Sequence, residues 1–187
     1  MPDLKRKRYS ITFRTWIAIA GALALVQAAG AADSSFTPPA GYRDWPLISV
    51  AAVGPPLNDV RAKLGNEIAM KAFREGTIPY PDGAIIARLA WKQTTSEENN
   101  TAFRLEGQEK GLSPAVIAKA IDSSFVAGAA TNVQFMVKDS AKYASTGGWG
   151  FFQFTNGKLD STPAATTCFA CHAPNKARDF VFTRYTP

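Results

Sequence analysis

The chain has 187 residues, 46% of them hydrophobic and 11% aromatic, with a formal net charge of +6. This length suits one domain, and the aromatic content argues against an intrinsically disordered chain. Outside the first 31 residues, 16 of the 21 basic and 14 of the 15 acidic residues remain, which leaves a net charge of +2. Because nucleic-acid binding requires a basic surface that this balance does not indicate, we expect no nucleic-acid partner.

The N-terminal segment 1–31 has the three parts of a secretory signal peptide. Five basic residues within the first 14 positions precede an apolar core of 11 residues, Trp16–Val26, and the small residues Ala29-Gly30-Ala31 follow. An uncleaved membrane anchor is the alternative, but the core is well short of the roughly 20 residues that span a bilayer. We therefore predict a signal peptide over 1–31, one domain over 32–187, a periplasmic location and no membrane attachment after cleavage.

Short elements are predicted along the rest of the chain, none of them before Asn66. They are a helix capped by Asn66 and ending at Glu75 before Gly76, a strand over Ala84–Lys92 after the turn Pro81-Asp82-Gly83, a polar surface loop over 94–112, a helix over Ala115–Ile121, and strands over Val133–Val137, Trp149–Thr155 and Phe180–Tyr185. The patterns are too short for a four-helix bundle. We therefore predict an α+β fold, an antiparallel β-rich sheet with a few short helices.

The two cysteines and the single histidine of the chain lie together in Cys168-Phe169-Ala170-Cys171-His172. The pattern C-x-x-C-H is the attachment sequence of c-type haem. Each thiol adds to one vinyl group of the porphyrin, and the histidine that follows donates an imidazole nitrogen to the iron. We therefore predict one covalent haem c near the C-terminus, held by Cys168 and Cys171, with His172 as the axial iron ligand.

Three other uses of this motif fit the sequence less well. A disulfide across two residues closes a very small loop and constrains the unfolded chain little. A thioredoxin-like redox pair needs a βαβ fold after it, but only 15 residues follow His172. A structural zinc site needs four ligands, and the motif supplies three.

The second axial position of the haem iron has no obvious ligand in this sequence. There is no second histidine, and Met70 and Met136 lie in helix-like and strand-like patterns that predict packing residues. Methionine is the usual sixth ligand of an electron-transfer cytochrome. We therefore expect a five-coordinate haem with an open site for small ligands. The alternative is a plain electron-transfer cytochrome with Met136 or Lys92 as sixth ligand.

Five segments occur in one order over nearly all of the chain after residue 31. They are Tyr42-Arg43-Asp44-Trp45, Pro81-Asp82-Gly83-x-Ile85-Ile86, Gly148-Trp149-Gly150-Phe151, the haem motif, and Asp179-Phe180-Val181-Phe182-Thr183-x-Tyr185. Together they resemble the cytochrome P-460 family. The resemblance implies a β-rich fold, a homodimer and a five-coordinate haem facing a small distal pocket. Some members oxidise hydroxylamine and carry a lysine cross-linked to the porphyrin, whereas the cytochromes c′-β lack the cross-link, have a Phe-lined pocket and bind nitric oxide and similar gases.

Three residues are candidates for the distal side of the haem. Aligned on the Pro-Asp-Gly turn, Arg88 falls where the resemblance places the cross-linking lysine, and a protonated guanidinium is a poor nucleophile. We expect the partner of the Arg88 charge to be a haem propionate, a distal anion or a surface carboxylate. Lys92 shares the strand face of Arg88 and either replaces that lysine in another register or is an exposed strand-end charge. Asp160 is either a distal proton acceptor or a solvated turn acid.

The sequence thus predicts an exported c-type cytochrome that binds or oxidises small nitrogen species such as nitric oxide or hydroxylamine. Arg88 favours a gas-binding protein over a hydroxylamine-oxidising enzyme, and both hypotheses stay open. A soluble redox partner is expected in either case.

Overall fold

The structure is a computed structural model that describes residues 36–161 and 164–186. The predicted signal peptide over 1–31 lies outside these residues. Within them, no helix has the length and apolar character needed to cross a membrane.

The described chain forms a six-stranded antiparallel sheet in which neighbours in the sheet are neighbours in the sequence. The strands are β1 (Leu47–Val53), β2 (Asp59–Gly65), β3 (Ile85–Thr94), β4 (Val126–Lys138), β5 (Trp149–Thr155) and β6 (Lys158–Leu159). The four α-helices are α1 (Glu67–Glu75), α2 (Glu97–Glu109), α3 (Pro114–Asp122) and α4 (Ala164–His172), and short 3-10 helices cover Tyr42–Asp44, Ala144–Thr146 and Ala173–Arg178. The predicted α+β class with an antiparallel sheet is confirmed.

Two predicted elements are wrong. The region 94–112 is not a surface loop, because it contains α2, whose N-cap Ser96 accepts a hydrogen bond from the Asn99 N–H. The segment Phe180–Tyr185 is not a strand. It begins at a turn in which Asp179 and Phe180 have φ values of +50° and +65°, outside the extended region that a strand requires. Strands β1 and β2 were not predicted.

Asn66 connects α1 to the start of β3. Its side-chain oxygen accepts hydrogen bonds from the N–H groups of Ala69 and Ile85, both at 3.0 Å, and its side-chain nitrogen donates to the Gly83 carbonyl at 2.8 Å. The predicted cap is therefore confirmed, and it also fixes the turn that precedes β3.

We expect Asn66→Ala to lower the free energy of unfolding by about 2–3 kcal/mol, because it removes a helix cap and leaves further backbone groups without partners. Urea unfolding measures the change. Ser113→Ala is the matched control, since that hydroxyl caps only α3, through the Val116 N–H. A loss no larger than that of the control would contradict the bridging role of Asn66.

The two faces of the sheet differ in composition. The first face is apolar, and the N-terminal residues Phe36, Tyr42 and Trp45 pack against it. The second face packs at one end against α1 and the segment after α4, through a core that contains Ala69, Met70, Trp149, Phe151, Phe180 and Val181. A cavity occupies the other end of this second face.

Candidate functional site

The cavity has a volume of about 520 Å³ and is bordered by strands β2–β5, by α4 and by the segment after α4. Alternate residues of each strand reach it, because successive side chains of a strand point to opposite faces. Its lining includes Cys168, Cys171 and His172, together with Asp59, Arg61, Lys63, Ile86, Arg88, Asn132, Gln134, Met136, Phe151 and Gln153. The haem motif and the charged strand residues therefore face the same space.

Polarity changes along the strands within this cavity. The cross-strand row formed by Ile86, Met136 and Phe151 is apolar. The next same-face row, about 7 Å further along, is polar and consists of Lys63, Arg88, Gln134 and Gln153. Arg61, paired with Ala90, lies one row beyond. The cavity is thus apolar at one end and cationic at the other.

Helix α4 presents the haem motif to the cavity. Cys168 and His172 are four residues apart on this helix, so they lie on one face of it. Both cysteines are free thiols, with Cys168 half-buried and Cys171 exposed. Burial raises the pKa of the Cys168 thiol, whereas a hydrogen bond with Thr167 and the charge of Arg88 lower it.

His172 is held at the apolar end of the cavity. Its Nδ1 lies 2.7 Å from the Phe180 carbonyl oxygen, and its ring centroid lies 5.1 Å from that of Phe151 and 4.9 Å from that of Phe182. A carbonyl oxygen only accepts, so Nδ1 carries the proton and Nε2 of the neutral ring has a free lone pair. Burial lowers the pKa of His172, and the bond to Phe180 opposes this shift. A neutral imidazole oriented through Nδ1 is what an axial iron ligand requires.

A buried ion pair fixes the chain next to the Phe180 carbonyl. Lys138 Nζ lies 2.8 Å from both carboxylate oxygens of Asp179, and the two side chains are 5% and 7% exposed. The same carboxylate accepts the Tyr80 N–H, and the Asp179 carbonyl accepts the Trp149 indole N–H, both at 2.8 Å. Sequence reasoning assigned no role to this pair, although Asp179 lies in a segment that carried the family resemblance.

The cationic end of the cavity is built around one buried carboxylate. Asp59 accepts hydrogen bonds from Arg61 at 2.8 and 3.0 Å and from Arg88 at 3.1 Å. Arg88 also donates to the Asn132 side-chain oxygen at 3.0 Å. Burial and the nearby charge of Arg61 lower the pKa of Arg88 to about 10, so it stays charged at neutral pH. Arg88 therefore has a carboxylate partner, but this partner lies in the cavity wall rather than on the surface.

The other candidates from the sequence lie in different places. Lys92 is exposed and is not part of the cavity lining. Asp160 also lies outside the lining, but it accepts hydrogen bonds from Gln153 at 2.6 Å and from Thr155 at 3.1 Å. Gln153 lines the cavity and is hydrogen-bonded to Gln134, so Asp160 is one hydrogen bond removed from the cavity.

The two methionines are also separated. Met70 belongs to α1 and is buried in the core, whereas Met136 lines the cavity. Sequence reasoning missed Asp59, Arg61 and Lys63, and their alternation along the chain was the signal that could have placed them on one face of a strand.

The residues at the cavity fit a covalently held haem. Two free thiols in C-x-x-C spacing and an imidazole with an available Nε2 border one cavity. These features are those of a c-type haem protein.

The sequence profile described as Cytochrome P460 matches residues 39–183, and the chain belongs to the cytochrome P460 family. The resemblance noted from the sequence is thereby confirmed. A search of curated proteins found no match. Family membership supports haem c as the cofactor, and the family is generally linked to hydroxylamine oxidation.

Proposed function

We propose that the protein carries one haem c, bound covalently to Cys168 and Cys171 with His172 as axial ligand, and that the opposite position of the iron is open. When bound, the haem supplies an iron centre that binds small nitrogen compounds and exchanges electrons. The observation that carries the proposal is the cavity itself, whose lining contains both the haem motif and a wall of polar side chains. The ligands we propose are nitric oxide, hydroxylamine and related small nitrogen species.

The residues around the cavity have different proposed roles. Phe151 and Phe182 contact the His172 ring, while the Phe180 carbonyl orients it. Arg88 and Gln134 supply hydrogen-bond donors in the same cavity. Asp160, behind Gln153, is the proton acceptor that we propose for any oxidation of hydroxylamine.

We place gas binding before hydroxylamine oxidation for a chemical reason. Alignment on the Pro-Asp-Gly turn assigns Arg88 to the position of the cross-linking lysine, and its guanidinium is charged and hydrogen-bonded to Asp59 and Asn132. Lys63 lines the cavity, whereas Lys92 is exposed outside it. A proteolytic peptide that joins Lys63 to the haem would reverse this order.

Absorption spectra of the purified holoprotein test the proposal directly. We expect a high-spin five-coordinate spectrum at rest, a shift on addition of nitric oxide to the ferrous protein, and an intact mass equal to the chain after removal of residues 1–31 plus one haem. A low-spin six-coordinate spectrum at rest would contradict the open site.

An electron-transfer cytochrome with Met136 as sixth ligand is the second candidate, because Met136 lines the cavity. Its cross-strand neighbour Phe151 contacts His172, so Met136 lies near the His172 end, whereas a sixth ligand must approach from the opposite side of the iron. We therefore expect Met136→Leu to leave the spectrum at rest unchanged. Conversion from low to high spin in this variant would support the electron carrier.

We also propose that the protein is exported to the periplasm, forms a homodimer and exchanges electrons with a soluble redox partner, without nucleic-acid or membrane binding. Exposed apolar side chains on the α2–α3 hairpin, Leu105, Leu112 and Val116, support an interface between protein chains. Sedimentation of the mature holoprotein measures the oligomeric state.

A further inference from the structure

We infer that Arg61, Lys63 and Arg88 form a binding site for a small oxyanion, such as nitrite, inside the haem cavity. The inference deepens the proposed function and rests on it, because the anion must reach an open iron site in the same cavity. The proposed function does not define the charge of the ligand, and the inference specifies that the ligand is an anion.

The first argument is the charge of the cavity wall. Among the lining residues of the described chain, three are cationic and Asp59 is the sole carboxylate, an excess of two positive charges. These groups are shielded from water, since the Arg61, Arg88 and Asp59 side chains are only 22%, 18% and 9% exposed. Shielded charges of one sign repel each other strongly unless a counter-charge is close. An anion in the cavity supplies that counter-charge.

The second argument is the number of unused hydrogen-bond donors. Asp59 is already occupied by Arg61 and Arg88. Within the described residues, the Arg88 Nε is buried without a hydrogen-bond partner, and the half-buried Lys63 side chain in the same cavity forms no ion pair. Since buried donors are nearly always satisfied in folded proteins, the Arg88 Nε indicates an acceptor that the chain itself does not provide. The Lys63 ammonium group is a further donor in the same cavity.

The electrostatic environment of Lys63 is consistent with an anion site. Burial lowers the pKa of Lys63, and repulsion from Arg61 and Arg88 lowers it further, while Asp59 opposes the shift. A bound anion would relieve this repulsion and stabilise the ammonium group. Nitrite suits the site because it is small and anionic and offers two oxygen acceptors to separate donors.

The haem propionates are the other source of oxyanions in such a cavity. Vinyl and propionate substituents occupy opposite edges of the porphyrin, and the vinyl edge joins the cysteines. Arg88 lines the same cavity as both cysteines. The free anion is the occupant that we propose, and the titration below distinguishes it from a propionate.

Ligand titration of the ferric holoprotein tests the inference. Sodium nitrite is the anionic probe and imidazole the neutral one, and both are followed by the change in the haem absorption spectrum. We expect Lys63→Met to raise the Kd for nitrite about tenfold, because a nearby positive charge is lost, and to leave the imidazole Kd unchanged. Lys63→Arg should restore nitrite binding. Lys119→Met is the matched control, since Lys119 is exposed on α3 outside the cavity, and it should change neither Kd.

The outcomes separate the inference from the function on which it rests. Equal nitrite affinity in wild type and Lys63→Met, or equal loss of nitrite and imidazole binding, would overturn the anion site while leaving the open iron intact. A shift in reduction potential without a change in the nitrite-to-imidazole ratio would assign the cations to the propionates and also overturn it. If neither ligand alters the wild-type spectrum, the open iron site is wrong and the inference fails with it.

Discussion

Replacing Lys138 by Met is expected to lower the free energy of unfolding by about 3–5 kcal/mol, because it leaves the Asp179 carboxylate buried without its counter-charge. Lys138 contacts both carboxylate oxygens, and neither side chain is more than 7% exposed. The hydrogen bond from the Tyr80 N–H remains, but one backbone donor does not balance a buried charge. Urea unfolding of the holoprotein measures the loss.

The same variant should disturb the axial histidine. Asp179 precedes Phe180, whose carbonyl accepts from His172 Nδ1. We therefore expect Lys138→Met to change the ligand-binding kinetics and reduction potential of the haem as well as stability. Lys110→Met is the matched control, since it removes only the exposed ion pair with Glu106 and should have little effect. If both variants unfold at the same urea concentration, the buried pair does not stabilise this region as we describe.

Replacing both Cys168 and Cys171 by Ser is expected to abolish covalent haem attachment. A hydroxyl does not form the thioether that joins a cysteine to the porphyrin, so any haem that enters the cavity should be lost on denaturation. Intact mass and haem staining after denaturing electrophoresis measure this. Thr183→Ala is the control, because Thr183 lines the same cavity and both thiols are retained. Haem that stays attached in the double variant would place the covalent link elsewhere in the chain.

Local sequence signals account for the elements that were predicted correctly. Asn66 and Gly76 delimit α1 because a cap and a left-handed stop residue depend on a few neighbouring residues. Strand β5 has the predicted bounds, Trp149–Thr155, and it is aromatic and flanked by glycine turns. The haem motif is equally local, because its chemistry depends on the spacing of three residues.

The elements that were predicted wrongly or missed depend on tertiary contacts rather than on local sequence patterns. Helix α2 buries only Asn100 and Gly107, so it lacks the periodic apolar pattern that reveals a helix. Strand β2 alternates charged side chains, and its pairing with β3 determines its conformation more than the propensities of its residues do. The segment after Asp179 is rich in strand-forming residues, but it is not a strand of the described sheet, and it meets β1 at its end, where the Thr186 N–H donates to the Ile48 carbonyl.

The sequence by itself identified the family and predicted the cofactor class and the attachment residues, because these inferences depend on motifs that are short and ordered along the chain. Only the tertiary structure brought Arg61, Lys63 and Arg88 together at one cavity, since that proximity requires the register of β2 against β3. It alone joined Lys138 to Asp179, 41 residues apart, and thereby located the carbonyl that orients His172. Contacts between distant residues are set by strand pairing and burial, and composition and spacing along the chain do not specify them.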